Sequence, residues 1–150
     1  MMPSLTNIVK CSFLAISENE AFARSVAVSF AARSSPTVTQ LADIKCAVSE
    51  AVTNCIVHAY PPDRFDKPMV EMTLRHFDDN SVAITIRDHG VGIPDIKAAR
   101  EPLYTTDTTG ERSGMGFAIM ESLMDNVKVS SRVNKGTTVT LKLRLGVPDC

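Results

Sequence analysis

Glu50, Asn54 and His58 stand four residues apart within a stretch whose apolar residues recur at helical spacing. That interval puts the three polar side chains on one side of a helix, drifting slowly around it. At the border of a buried stripe, such a carboxylate can act as a general base, and an amide oxygen can ligate a hard cation such as Mg2+. A solvated polar face has the same spacing, so the interval alone leaves both readings open. A second group, Asp88-His89-Gly90-Val91-Gly92-Ile93, directly follows a strand-like run. A carboxylate at a strand end is well placed to meet a ligand, and glycines allow turns and close backbone approach that side chains block. An ordinary glycine turn accounts for these residues equally well. They are not the dinucleotide fingerprint, because no parallel strand-turn-helix unit surrounds them.

Ser113-Gly114-Met115-Gly116-Phe117 opens a helix. Unpaired amides and the positive end of the helix dipole favour a phosphate at such a position. Thr105, Thr106, Thr108 and Thr109 add hydroxyl donors upstream, and Arg112 can pair with a terminal phosphate. This combination favours phosphate binding over a purely structural glycine entry. Gly136-Thr137-Thr138 starts a strand and is structural unless Thr137 lies beside Asp88 across a sheet. There a hydroxyl and a carboxylate can jointly read an adenine edge. His76 and His89 have no partner at metal-ligand spacing, and no Ser/His/Asp or Cys/His order emerges.

Several elements must hold these groups. Ile8 to Ile16 has the apolar content of a strand. Ser17-Glu18-Asn19-Glu20 has the form of a capping box, and Ala21, Phe22, Val26 and Phe30 supply a helical face as far as Arg33, before Pro36. A second start signal, Thr37 with Gln40, precedes Leu41, Ile44, Val48, Ala51, Val52, Cys55 and Ile56, and Pro61-Pro62 ends that helix. Val70, Met72 and Leu74 alternate with polar residues, as do Val82, Ile84 and Ile86, and Asp78-Asp79-Asn80 between them marks a hairpin. Periodicity lapses from Asp88 to about Ser113, a length typical of lids and binding segments, with a short helix expected near Asp95. A helix over Met115 to Met124 and strands over Val127 to Val133 and Thr138 to Leu145 follow. Two hairpins and clustered helices predict an α/β (α+β) two-layer sandwich, a mixed, mostly antiparallel sheet with helices on one face.

Composition narrows the setting. With 150 residues, 16 basic against 17 acidic side chains and no Trp, the chain reads as a single domain over residues 1–150 without a broad basic footprint. Nucleic-acid and membrane partners are therefore not expected. No apolar run nears the ~20 residues of a membrane span, and Met1 to Lys10 lacks signal-peptide character, so a cytoplasmic setting is expected. Cys11, Cys46, Cys55 and Cys150 fit no zinc or disulfide spacing and read as reduced structural thiols.

Taken in order, Glu50-Ala51-Val52-Thr53-Asn54, Asp88-His89-Gly90-Val91-Gly92, Gly114-Met115-Gly116 and Gly136-Thr137 resemble the motif boxes of the GHKL superfamily of ATP-binding domains. Ser49 to Asn54, Arg100 to Thr106 and Glu111 to Phe117 narrow the resemblance to the anti-sigma F factors of spore-forming bacteria, from about Phe22 to Leu143. That family comprises dimeric serine protein kinases that hold a sporulation sigma factor inactive and phosphorylate a small anti-anti-sigma protein. The resemblance implies ATP and Mg2+ as cofactors, Glu50 as general base and Asn54 as the Mg2+ ligand. It implies that Asp88, supported by Thr137, accepts from the adenine amino group, while Gly90, Gly92 and Ile93 shape the pocket. Gly114, Met115 and Gly116 would present amides to phosphates, with Thr105, Thr106 and Ser113 lining a lid and Arg112 reaching the γ-phosphate. Arg24 matches an arginine that contacts protein partners. Ala59 stands where the family commonly has Gly, and the lid sequence Asp107 to Gly110 departs from other members. An anti-sigma B-type stress-response kinase is the nearest enzyme alternative, and an ATP-gated sequestering module without turnover is the alternative of a different class. A histidine-kinase catalytic domain fits less well, because no helical phosphoacceptor segment lies upstream.

Overall fold

The computed structural model describes residues 2–101 and 116–147. Strand β1 (Leu5–Leu14) leads into helices α1 (Glu18–Ala32) and α2 (Val38–Asn54), and one turn of π-helix, Cys55–Ala59, continues α2. The hairpin β2 (Met69–Phe77) and β3 (Ser81–Asp88) follows, then α3 (Ile96–Arg100), α4 (Gly116–Leu123), and the hairpin β4 (Asn126–Arg132) and β5 (Gly136–Arg144). The five strands form one sheet in the order β1-β2-β3-β5-β4, with every neighbouring pair antiparallel. This is the expected two-layer architecture.

Alternation decides which sheet face is covered. Val70, Met72 and Leu74, Val82, Ile84 and Ile86, and Val139, Leu141 and Leu143 all turn inward. Ile44, Val48 and Val52 of α2 and Met120 of α4 complete that core. On the opposite face Lys10, Thr73, Thr85, Thr140 and Lys128 form one row across the sheet.

The two expected capping boxes have different outcomes. Thr37 Oγ1 accepts from the Gln40 amide at 3.1 Å, and Gln40 Oε1 accepts from the Thr37 amide at 2.9 Å. Ser17 makes no such bond, because its own backbone is helical (φ −59°, ψ −30°) rather than extended. Glu20 is drawn elsewhere. It accepts from the Ser49 hydroxyl on α2 and lies 3.1 Å from Arg24 Nε. The inward face of α1 also differs from expectation. Ala23, Ala27 and Ala31 are its fully buried residues, while Phe22 is 51% exposed. Small side chains let α1 lie close on α2, and Phe22 reaches sideways to an edge-on contact with Phe13 of β1. The short helix expected near Asp95 is α3, with Asp95 Oδ1 accepting from the Ala98 amide at 3.0 Å.

Candidate functional site

At one end of the sheet the inward stripes turn from apolar to polar on three strands. Val82, Ile84 and Ile86 lead to Asp88, Val139 and Leu141 lead back to Thr137, and Val127 and Val129 lead to Ser131. Asp88 is buried, at 4% exposure. Its Oδ1 accepts from the amides of Gly90 (2.9 Å) and Thr137 (3.2 Å), and its Oδ2 accepts from the Cys55 thiol (3.5 Å). Burial raises the Asp88 carboxyl above its usual range even though these three donors pull it down. Thr137 thus meets Asp88 through its backbone amide, and its hydroxyl turns to Ser131 Oγ at 2.8 Å. Ser131 Oγ in turn accepts from the Ile93 amide at 2.8 Å.

The glycine-containing segment after β3 is clamped by the end of α2. A helix end leaves carbonyls without intrahelical partners, and here the Ala59 carbonyl accepts from the Val91 amide at 2.9 Å. A Cβ on Gly90 would sit 2.1 Å from that same carbonyl oxygen. Gly136, with φ +116°, is as constrained, since its Cβ would sit 2.1 Å from the Asp88 carbonyl oxygen. Gly92 continues the turn, and the flanking Val91 carbonyl accepts from the Asn134 amide at 2.8 Å. Tyr60, next after the π-helical turn, accepts from the His89 amide (2.7 Å) and donates to the Met69 carbonyl (2.6 Å).

A second group meets at the start of α4. A Cβ on Gly116 would lie 3.3 Å from both Asn54 side-chain amide atoms and 3.4 Å from Glu50 Oε2. Glu50 and Asn54 are half-buried on α2, and the glycine lets the start of α4 lie close against both side chains. His58, in phase with them, is half-buried in the π-helical turn. Arg24, on α1, makes its ion contact with Glu20 without a hydrogen bond at Nε. Thr105, Thr106, Arg112, Ser113, Gly114 and Met115 lie outside the described residues. Cys55, Tyr60 and Ser131 also belong to this constellation, although no motif marks them. Ser131 carried a usable signal, a polar residue in phase with Val127 and Val129. So did Tyr60, a tyrosine beside a helix end whose hydroxyl must find partners once buried.

Residues 14–143 match the family described as the histidine kinase-like ATPase domain. An anti-sigma F factor from Geobacillus kaustophilus is 51% identical over 138 residues, 92% of either chain. Another, from Oceanobacillus iheyensis, is 48% identical over 94% of either chain. This chain belongs to the anti-sigma F factor family. Among solved structures, the RsbU and RsbW domains of a Mycobacterium tuberculosis protein share the fold with a TM-score of 0.67 at 22% identity. That match covers 95% of this chain and 34% of the other. The catalytic domain of the histidine kinase ThkA shares it with a TM-score of 0.51 at 13% identity, over 93% and 97% of the two chains.

An ATPase domain of the anti-sigma F factor family implies a purine nucleotide, and the donor set fits one. Asp88 Oδ2 has only a weak thiol donor among the described residues, which leaves acceptor capacity for an amino group. Among those residues no three His, Cys, Asp or Glu side chains gather into a preformed metal cage. Asn54 offers an amide oxygen, a hard ligand of the kind that Mg2+ takes alongside phosphates and water. No helix among the described residues is long and apolar enough to cross a membrane.

Proposed function

We propose that this chain is an ATP-dependent protein serine kinase and anti-sigma factor. In this reading it holds a sporulation sigma factor, sigma F in type, and phosphorylates a serine on an anti-anti-sigma protein in the cytoplasm. The observation that carries the reading is the meeting of Glu50 Oε2 and Asn54 at Gly116, where α4 begins. Phosphoryl transfer asks a protein mainly for positioning and charge neutralisation. Bound ATP with Mg2+ supplies the transferable phosphoryl group. Glu50 orients the incoming serine hydroxyl and takes its proton, and Asn54 holds the cation. Gly116 would turn its amide toward phosphates at the start of α4, and the family resemblance gives Gly114 and Met115 the same role. By the family resemblance, Arg112 would neutralise charge on the terminal phosphate, and Thr105, Thr106 and Ser113 would serve the lid. Asp88, Thr137, Gly90, Gly92 and Ile93 form the adenine side.

Residues 1–150 act as one unit in this reading, so partners must use the same small fold. Arg24 and the exposed Phe22 on α1 offer a protein-binding face. Edge strand β1, with Leu5, Ile8 and Leu14 each more than 40% exposed, offers a surface for homodimerisation. Nucleic acid and membrane have no part in the proposal. The test is transfer of phosphate from Mg-ATP to candidate anti-anti-sigma proteins, wild type against Glu50→Gln. Serine phosphate is expected with wild type alone, with ATP affinity retained in the variant. Tight ATP binding by wild type without transfer to any candidate would instead leave a nucleotide-gated sequestering module.

A further inference from the structure

Cys55 is the first residue of the π-helical turn, and its backbone amide is held by the Ala51 and Val52 carbonyls. Helix geometry therefore fixes where its sulfur stands. Cys55 and Asp88 are both 4% exposed, and Cys55 Sγ lies 3.5 Å from Asp88 Oδ2. The other carboxylate oxygen, Oδ1, is bound by two backbone amides. Those two bonds hold one oxygen in place. The last torsion of an aspartate is broad, so they define the tilt of the carboxylate plane less well. The thiol is the third point that sets this tilt. Burial, reinforced by Asp88, pushes the Cys55 thiol well up, so it remains an S–H donor at neutral pH. It is also a weak donor. Oδ2 is thereby aimed without being saturated, and it can still accept from a ligand N–H.

We propose that Cys55 is a specificity-determining positioning residue: its thiol aims Asp88 Oδ2, and this aim sets the preference for a purine bearing an exocyclic amino group over one bearing a carbonyl. A carboxylate oxygen turned toward the ligand accepts from an amino group and repels a carbonyl oxygen. An untethered carboxylate can tilt away from both and loses part of that contrast. The proposal rests on the nucleotide-binding reading above and concerns the same site.

The test is equilibrium binding of ATP and of inosine triphosphate, which carries a carbonyl where ATP has its amino group, to the full chain. Wild type is compared with Cys55→Ala and Cys55→Val, which lack a donor, and with Cys55→Ser, which keeps one. The donorless variants are expected to narrow the ATP-over-inosine preference by roughly 3–10-fold, the scale of one modest hydrogen bond. Cys55→Ser is expected to keep the wild-type preference. Two donorless variants guard against one of them failing to fold. A loss equal for both nucleotides, or an unmoved ratio, would make Cys55 a packing residue and overturn the proposal alone. Wild type that binds neither nucleotide would overturn the nucleotide reading together with the proposal, and wild type that binds both equally would overturn the proposal while leaving nucleotide binding in place.

Discussion

The strand-end half of the site and the helix half are built from different materials. Around Asp88 the groups that hold the site are largely backbone: the Gly90 and Thr137 amides, the Ala59 carbonyl, and glycines against carbonyl oxygens. Around Gly116 the site consists of Glu50 and Asn54 side chains projected from α2 onto the start of α4. The first half is buried and inseparable from the pairing of β3 with β5. The second is half-buried and can change chemistry without changing the fold. Substitutions that displace the backbone of the strand-end half should therefore lower stability and binding together, whereas Glu50→Gln should remove only the proposed phosphoryl transfer.

Gly136→Ala tests this contrast most severely. Its Cβ would meet the Asp88 carbonyl oxygen at 2.1 Å, and its φ of +116° is strained for any L side chain. Backbone cannot yield as a flexible side chain does, so the start of β5 must move away from β3. A loss of at least about 3 kcal/mol is expected, with overpacking and backbone strain acting together. Thermal unfolding and nucleotide titration should fall together. A variant of wild-type stability that fails only to bind nucleotide would break the link between fold and binding on this side.

The same contrast explains what the sequence made legible. The sheet and its hairpins were readable because Val82, Ile84 and Ile86, and Val139, Leu141 and Leu143, alternate on a period that a half-covered sheet requires. Glu50 and Asn54 were readable because helical spacing is local. The Glu20 box misled because a capping pattern is also local, while Ser49, which takes the Glu20 carboxylate, is 29 residues away. Cys55 reads as a structural thiol on the apolar stripe of a helix, and it is buried. Only the crossing of the π-helical turn over the end of β3 sets it against Asp88, and spacing does not encode that crossing.

Asp88→Asn should sharpen the comparison by separating the two consequences of one buried carboxylate. Asn keeps an oxygen for the Gly90 and Thr137 amides but turns a donor toward the ligand. ATP affinity should fall by about 10–100-fold, the scale of a hydrogen bond to a charged group. Stability should not fall with it. The folded-state carboxyl is raised above 3.8, so the native form holds its proton longer than the unfolded form does. Its favourable contribution is complete below 3.8 and is lost as pH rises through the raised value. Wild type should therefore lose stability across that window relative to Asp88→Asn, which does not titrate. Parallel stability profiles for the two proteins would contradict the burial cost assigned to Asp88. Unchanged nucleotide affinity would remove Asp88 from the site.

Tyr60→Phe probes the mildest difference between the halves. The phenol hydroxyl bridges the His89 amide and the Met69 carbonyl, and so ties the segment after β3 to the start of β2. Phenylalanine keeps the ring and its edge-on contact with Phe65, so the substitution isolates the hydroxyl. Two polar groups would lose their shared partner, and a cost of about 1–2 kcal/mol is expected. Because His89 adjoins Asp88, nucleotide affinity should fall too, by less than in Asp88→Asn. Turnover at saturating ATP should stay at the wild-type rate, since Glu50 and Asn54 keep their place at Gly116. Chemical denaturation, nucleotide titration and saturated transfer rates, measured on one preparation, separate these effects. A Tyr60→Phe protein with normal stability and affinity but slowed transfer would show that the strand-end half also governs the chemistry, and the division between the two halves would fail.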